Sequence, residues 1–227
     1  MTKQSQDRPI QYIKGFVEFY KLKFFIDENA LIPRPETELL VDEVIKYAKV
    51  NKNFTVLDIG TGAGNIAISL AINIKGTKII ATEISPEALL VARKNAKFHQ
   101  VEDRIEFTIS DLLDSLRQDL NPDVIVTNLP YIPTDRINYL DTSVKDFEPH
   151  IALDGGQDGF EPYRKLFQQI DQKGWQPKLI LGEIDYTHGD IAQEEAKKYF
   201  PNSDIQARLD LAHKQRIIVI AQQTPVR

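Results

Sequence analysis

The apolar and polar positions of the chain follow two alternating patterns, one typical of buried strands and one typical of helices. Short, nearly continuous apolar runs predict strands at residues 54–59, 77–82, 105–109, 124–127 and 178–184. Between them, apolar residues three or four apart predict helices that start near residues 38, 65, 86, 160 and 190. Strands that alternate with helices indicate an α/β fold with a doubly wound, mostly parallel sheet.

Two pairs of short strands are predicted near the ends of the chain. Residues 15–20 and 23–26 are expected to form an N-terminal β-hairpin, although the turn between them lacks Gly or Asn. Residues 205–209 and 216–221 predict a second pair that completes a seven-stranded sheet. We therefore divide the chain into a tail and hairpin at 1–30, frayed over its first eight residues, and one domain at 31–227.

Start signals support two of the helices. Ser85 followed by a proline and a glutamate is typical of a capped helix start. Thr37 is expected to cap the helix whose apolar face carries Leu40, Val44 and Ala48. Glycines at 155, 156 and 159 are expected to form a turn before the helix at 160.

The composition limits the classes of protein to consider. The chain has 227 residues, 42% hydrophobic and 27% charged, which is ordinary for a soluble globular domain. The net charge of −5 argues against a protein that mainly coats phosphate backbones. The absence of cysteine excludes disulfides and thiolate chemistry, and no metal is expected. Because no apolar run reaches about 18 residues and the N-terminus is polar, we expect a cytoplasmic protein without a membrane partner. We further expect a monomer without a nucleic-acid partner.

A glycine-rich loop follows the first strand of the predicted sheet. Asp58 precedes Gly60, Thr61, Gly62 and Gly64, and a helix begins directly after them. Glycines let a backbone turn tightly and approach a ligand closely. A dinucleotide fingerprint needs a sixth-position glycine, but an asparagine stands there. The loop therefore resembles the S-adenosylmethionine loop of class I methyltransferases more than an NAD loop.

Acidic residues also end the next two strands. Glu83 is expected to accept hydrogen bonds from both hydroxyls of a ribose, and Asp111, with Leu112 beside it, is expected to meet an adenine amino group. Asp58 would lie near the amino-acid end of the same ligand. Because the carboxyl ends of parallel strands share one sheet edge, the three acids together predict a cofactor site there.

The candidate acceptor site is the tetrapeptide Asn128-Leu129-Pro130-Tyr131, which closes the strand at 124–127. The Asn128 side-chain oxygen can accept a hydrogen bond from a planar NH2 group, and it also borders the predicted cofactor site. Pro130 restricts the loop, and Tyr131 can stack on a flat group. Asn128, Pro130 and Tyr131 are the predicted catalytic residues. We expect all four residues to bind the substrate.

With these residues in place, the chain resembles the release-factor glutamine methyltransferases, over nearly all of residues 11–220. The likeness rests on residues 32–38, 58–64, 128–133, 147–159 and 210–216. The resemblance implies methyl transfer from S-adenosylmethionine to the glutamine of the Gly-Gly-Gln motif in a class 1 peptide chain release factor. The products would be N5-methylglutamine and S-adenosylhomocysteine.

Two departures from the family pattern bear on the substrate. The family usually has Asn-Pro-Pro-Tyr, whereas Leu129 makes this motif resemble that of the ribosomal RNA adenine dimethylases. Family members usually carry a helical N-terminal domain that helps to hold the release factor. Only the hairpin is expected to precede the Pro-Arg-Pro segment at 33–35 here.

The expected mechanism depends on hydrogen bonds to the acceptor nitrogen. The Asn128 oxygen and the backbone carbonyl of Leu129 or Pro130 would accept its two N–H groups. Positive charge that builds on the nitrogen strengthens both bonds in the transition state. This requires no strong base, and His150, the nearby candidate, is not assigned that role. Arg34 is expected to border the cofactor site, or else to form an ordinary surface ion pair with Glu36.

Two other functions fit parts of the pattern. A methyltransferase acting on nucleic-acid amines would need a basic face and aromatic residues around a flipped base, and the acidic balance opposes it. A non-catalytic S-adenosylmethionine-binding subunit would have no need of the motif at 128–131.

Overall fold

The computed structural model of the protein describes residues 7–222 and contains the predicted seven-stranded sheet. The strands are β1 (Phe16–Phe19), β2 (Leu22–Phe25), β3 (Thr55–Ile59), β4 (Lys78–Glu83), β5 (Ile105–Ile109), β6 (Val124–Thr127), β7 (Leu179–Glu183), β8 (Ser203–Leu209) and β9 (Gln215–Gln222). The sheet order is β5-β4-β3-β6-β7-β9-β8, and β1 and β2 form a separate hairpin. The first five strands in this order are parallel, and β9 is antiparallel to both of its neighbours. The predicted fold class is therefore confirmed.

Helices cover both faces of the sheet. They are α1 (Ile10–Lys14), α2 (Glu38–Val50), α3 (Asn65–Asn73), α4 (Pro86–Phe98), α5 (Thr142–Lys145), α6 (Glu161–Gln172) and α7 (Gly189–Tyr199). One face packs against α2, α3, α4 and the hairpin, and the other packs against α6 and α7. Successive residues of β3 alternate between the faces, with Val56 in one core and Leu57 in the other. Burial on both sides explains why the strands are continuous apolar runs.

The N-terminal hairpin packs into the core of the sheet domain. Its two turn residues, Tyr20 and Lys21, have φ values of 51° and 58°, which matches the type I′ turn favoured in two-residue hairpins. Phe19 and Phe24 are buried in the same cluster as α2 and α4. The side chain of Asn95 in α4 accepts a hydrogen bond from the backbone N–H of Phe25 in β2 and donates one to the Phe25 carbonyl. The hairpin and the sheet domain therefore share one core.

The structure differs from the sequence prediction at Thr37. This residue lies in a 3-10 helix, Pro35–Thr37, has helical backbone angles and makes no capping hydrogen bond to α2. The predicted cap is wrong because the Thr37 hydroxyl instead donates to a carboxylate of β7. The cap at Ser85 is confirmed, since its hydroxyl oxygen accepts the Ala88 N–H at 3.1 Å.

Short helical segments were also missed. Sequence patterns did not predict α1, α5, or the 3-10 helices Glu102–Arg104, Thr134–Tyr139 and His150–Ala152. Segments of three to six residues are too short to show an apolar period. No helix within residues 7–222 is long and apolar enough to cross a membrane.

The segment after β6 is held in place by a second segment, residues 153–159. Ile132 and Asp154 form a parallel bridge, and the Gly155 N–H donates to the Ile132 carbonyl at 2.8 Å. A Cβ atom on Gly155 would lie 2.7 Å from the Cα of Tyr131. Gly155 therefore does more than form a turn, because only a residue without a side chain permits this approach.

We expect Gly155→Ala to destabilise the fold by about 1–3 kcal/mol, because the added methyl overlaps backbone atoms that cannot rotate away. Chemical denaturation measures the change, and hydrogen exchange at the Ile132 N–H should become faster.

Gly174→Ala is the matched control, because a Cβ there meets nothing within 4 Å although φ is +64°. Gly174→Ala should lower the free energy of unfolding by about 1–2 kcal/mol through backbone strain alone. Hydrogen exchange at the Ile132 N–H should change no more than exchange at other backbone amides. Equal exchange at Ile132 in both variants would contradict the close-packing explanation.

Candidate active site

The two predicted motifs meet where the order of the strands reverses. β3 has β4 on one side and β6 on the other, so the loops that follow β3 and β6 leave the same sheet edge side by side. A Cβ on Gly60 would lie 3.4 Å from Cδ2 of Leu129. Such a switch point is where open α/β sheets bind ligands.

A cavity of about 480 Å³ opens at this edge. Most of the predicted site residues line it, namely Gly60, Gly62, Glu83, Asp111, Leu112, Asn128, Leu129 and Pro130. Others do not line it, namely Arg34, Asp58, Thr61, Gly64 and Tyr131. The cavity also uses residues that the sequence analysis did not single out, among them Ile84, Ser110, Ile151 and Lys165. Ile84 and Ser110 stand next to the predicted acids, whereas Ile151 comes from the 3-10 helix His150–Ala152 and Lys165 from α6, which carry no recognisable ligand motif.

Glu83 lines the cavity and accepts two backbone hydrogen bonds. Its Oε2 accepts the Gly62 N–H at 2.9 Å, and its Oε1 accepts the Ser85 N–H at 3.0 Å. A carboxylate has about four acceptor positions, so these two bonds leave capacity for two more. Glu83 can thus orient a pair of ligand hydroxyls while it holds the glycine loop.

Asp58 supports the glycine loop from below. It is fully buried, and its Oδ2 accepts the Thr61 hydroxyl at 2.6 Å and the Ala67 N–H at 3.1 Å. Burial raises the pKa of Asp58 to about 7, against the lowering effect of these two bonds. Its position makes it a residue that shapes the loop, without a surface on the cavity.

The last glycine of the loop lies against α4. A Cβ on Gly64 would approach the Ile68 side chain to 2.9 Å and the Ala92 Cβ to 3.2 Å, and φ is +84°. The residue therefore permits a tight turn and close packing between α3 and α4.

Asp111 lies at the cavity wall with a cation beside it. Its Oδ2 is 2.5 Å from the Nζ atom of Lys165, and both side chains are more than 40% exposed. Exposed ion pairs contribute little to stability, so this pair can rearrange around a ligand at low cost.

The Asn128 side chain is oriented by residues from other elements. Its Nδ2 donates to the Thr37 hydroxyl oxygen at 3.1 Å, and that hydroxyl donates to Oε2 of Glu183 at 2.6 Å. Glu183 ends β7, and the pairing of Thr127 with Gly182 brings it beside Asn128. No motif in the sequence singles out Glu183, although an acid that closes an apolar strand is a signal for it.

Glu183 also holds the tyrosine of the motif. The Tyr131 hydroxyl donates to its Oε1 at 3.1 Å. Burial is the main cause that raises the pKa of Tyr131, with the nearby Glu183 charge next. Burial likewise raises the pKa of Glu183, and its hydrogen bonds from Thr37 and Tyr131 oppose the rise. Tyr131 does not line the main cavity but lines a smaller cavity that also borders Asn128, Leu129 and Pro130.

Arg34 forms an ion pair, but with a partner that the sequence did not indicate. Its guanidinium pairs with Glu148, a buried carboxylate that also accepts the Ile32 N–H at 3.1 Å, and not with Glu36. This pair joins the segment before α2 to the segment before Gly155. His150 is exposed and does not line the cavity. Residues 7–222 contain no cluster of His, Asp and Glu that could hold a metal ion.

Comparisons with known proteins identify the family. A model described as a methyltransferase domain matches residues 50–153. A release factor glutamine methyltransferase of Lactococcus lactis is 39% identical over 215 residues, which are 95% of this chain and 78% of the relative. One of Koribacter versatilis is 38% identical over 86% of this chain and 69% of the relative. One of Clostridium acetobutylicum is 36% identical over 93% and 74%.

Solved structures agree in fold. The hMettl16 catalytic domain, solved with the MAT2A 3′UTR hairpin 6, superimposes with a TM-score of 0.72 at 16% identity over 90% of this chain and 77% of that one. A ribosomal protein L11 methylase of Lactobacillus delbrueckii gives a TM-score of 0.56 at 20% identity over 84% and 81%. Because these relatives are 36–39% identical to this chain over 86–95% of its length, the chain belongs to the family of release factor glutamine methyltransferases.

Proposed function

We propose that the protein transfers a methyl group from S-adenosylmethionine to the side-chain amide nitrogen of a protein glutamine, in the Gly-Gly-Gln motif of a peptide chain release factor. The observation that carries the proposal is the orientation of Asn128. Its nitrogen is held by Thr37, so its Oδ1 is the atom free to accept an N–H of the substrate amide. This arrangement occurs in a chain whose relatives bear that activity in their names.

The cavity fits the cofactor. Glu83 retains acceptor capacity for the two ribose hydroxyls, and Asp111 and Leu112 would border the adenine. The space over Gly62 is open, because a Cβ there would meet nothing within 4 Å. When bound, S-adenosylmethionine supplies a methyl group on a positively charged sulfur and leaves as S-adenosylhomocysteine.

The chain's own residues bind and aim the acceptor. An amide nitrogen is a poor nucleophile because its lone pair is delocalised into the carbonyl. Oδ1 of Asn128 and the backbone carbonyl of Leu129 or Pro130 accept its two N–H groups and thereby orient the lone pair. Positive charge on the nitrogen strengthens both bonds in the transition state. A methylated amide nitrogen that carries positive charge is a strong acid, so its proton needs no strong base.

The unusual Leu129 is compatible with this chemistry. Its side chain is 4% exposed and packs over Gly60, so it serves the contact between the two loops. The residue that resembles the RNA dimethylase motif therefore fills space between loops and need not contact the acceptor. We further propose that the protein acts as a cytoplasmic monomer without a nucleic-acid partner, in line with its net charge of −5. Residues 31–227 would carry the transferase chemistry, and residues 1–30 would support it.

Glu83→Ala should weaken S-adenosylmethionine binding by about tenfold to a hundredfold, because two hydrogen bonds to a charged group are lost. Isothermal calorimetry measures the affinity. Glu106→Ala, an exposed carboxylate on β5 paired with Lys78, is the control and should bind as the wild type does. Unchanged affinity in Glu83→Ala would overturn the assignment of the ribose site.

Asn128→Ala should lower kcat on the order of 10²–10³-fold, the usual effect of removing one preorganised polar group from the transition state. Cofactor affinity should change little, because the lost atom contacts the acceptor. Asn138→Ala removes an exposed amide from the 3-10 helix Thr134–Tyr139 and should leave turnover unaltered. If Asn128→Ala kept most of the wild-type turnover, another group would have to bind the N–H groups of the acceptor amide.

Incubation with S-adenosylmethionine and a class 1 release factor should add one methyl group to the glutamine of the Gly-Gly-Gln motif. Tandem mass spectrometry locates the added mass, and the Asn128→Ala protein gives the background. Efficient methylation of ribosomal RNA or DNA, with the release factor unmodified, would refute the proposed acceptor.

A further inference from the structure

Three hydrogen bonds link Asn128 and Tyr131, two of the predicted catalytic residues, to a buried carboxylate. Asn128 donates to Thr37, and both Thr37 and Tyr131 donate to Glu183. Thr37 and Glu183 are each only 1% exposed. The three partners come from the 3-10 helix before α2, the loop after β6 and the end of β7, so only the tertiary fold brings them together. We propose that Glu183, acting through Thr37, determines which end of the Asn128 amide faces the acceptor.

The direction of these hydrogen bonds follows from counting protons. An ionised carboxylate only accepts hydrogen bonds, whereas a threonine hydroxyl has one proton to donate. With Glu183 ionised, that proton goes to its Oε2, and the Thr37 oxygen is left as an acceptor. Such an acceptor selects the NH2 end of Asn128. Its Oδ1 is thereby turned towards the acceptor site, the orientation that a clamp for substrate N–H groups requires.

A proton on Glu183 would reverse this order. The protonated Glu183 could then donate to the Thr37 oxygen, which would free the Thr37 proton to point at Asn128. The Asn128 amide would then form a hydrogen bond with Thr37 by turning its oxygen towards that proton. Its NH2 end would then face the substrate amide nitrogen and repel its N–H groups. Glu183 and Thr37 are thus positioning residues, since neither touches the substrate.

Burial raises the pKa of Glu183, and three neighbouring groups oppose that rise. The bonds from Thr37 and Tyr131 lower the pKa, as does the Arg216 guanidinium on β9, while the Glu36 charge adds to the rise. Arg216 is itself fixed by Asp210, whose Oδ2 lies 3.2 Å from its Nε. The proposal therefore gives the segment at 210–216 a role, because Asp210 holds the Arg216 cation near Glu183, the carboxylate that orients Asn128.

Kinetics of four variants test the proposal, which rests on the function proposed above. Thr37→Val keeps the shape and removes the hydroxyl, and it should lower kcat on the order of tenfold to a hundredfold, the effect of a misplaced catalytic group. Glu183→Gln should do the same, because its amide can either donate or accept. Thr37→Ser restores the hydroxyl and should restore kcat. Thr142→Val, which removes an exposed hydroxyl of α5, is the matched control.

Cofactor affinity separates orientation from general damage. All four variants should bind S-adenosylmethionine as the wild type does, because none of the substituted residues lines the cofactor cavity. Wild-type kcat in Thr37→Val or in Glu183→Gln would overturn the proposal. So would a Thr37→Ser protein as slow as Thr37→Val, since the hydroxyl would then not be the feature that matters.

A measurement without substrate keeps this inference distinct from the choice of acceptor. In ¹⁵N-labelled protein, the side-chain NH2 signals of Asn128 are identified by their loss in Asn128→Ala. As the pH is lowered from neutral, these signals should shift in the wild type and stay constant in Glu183→Gln. The test holds even if the wild type methylates no glutamine, an outcome that would refute only the proposed function. Asn128 signals that do not change with pH, or that are the same in Thr37→Val as in the wild type, would refute the proposal that Glu183 orients Asn128 through Thr37.

Discussion

The parallel pairing of β3 with β6 is the constraint on which the site depends. Asp58 lies opposite Val126 and Ile59 opposite Thr127, so the chain leaves both strands at the same height. The glycine loop and the asparagine motif then lie side by side with a cavity between them. A slip of one residue would turn every side chain of the strand to the other face and separate the two loops.

Buried carboxylates tie the loops to this frame, each in a different way. Asp58 accepts a hydrogen bond from the first turn of α3, and Glu83 accepts one from the glycine loop. Glu183 accepts hydrogen bonds from Thr37 and Tyr131, near Asn128. Glu148 joins Arg34 to the segment that supports the motif after β6. A buried charge is tolerated only with hydrogen bonds or a partner, and here the partners are the parts of the site that must not move.

The sequence carried most of the fold and about half of the site. Strand and helix positions followed from apolar runs and periods, because both faces of the sheet are covered and leave little ambiguity. The loops that end β3, β4 and β6 carried local motifs, and these line the cavity. Thr37 was assigned to a helix cap because a threonine before an apolar period is usually one. Its actual partner is 146 residues away in the chain.

By itself, the sequence determined the alternation of strands and helices and the membership of a methyltransferase family, and it predicted the glycine loop as part of a cofactor site. Those features depend on local spacing, or on motifs whose residues stand together in the chain. Only the tertiary structure decided that Asp58 lies beneath the loop, that Arg34 pairs with Glu148, and that Glu183 reaches Asn128 through Thr37. The physical reason is that a hydrogen bond depends on distances of about 3 Å between atoms, and strand pairing sets those distances between residues far apart in the chain.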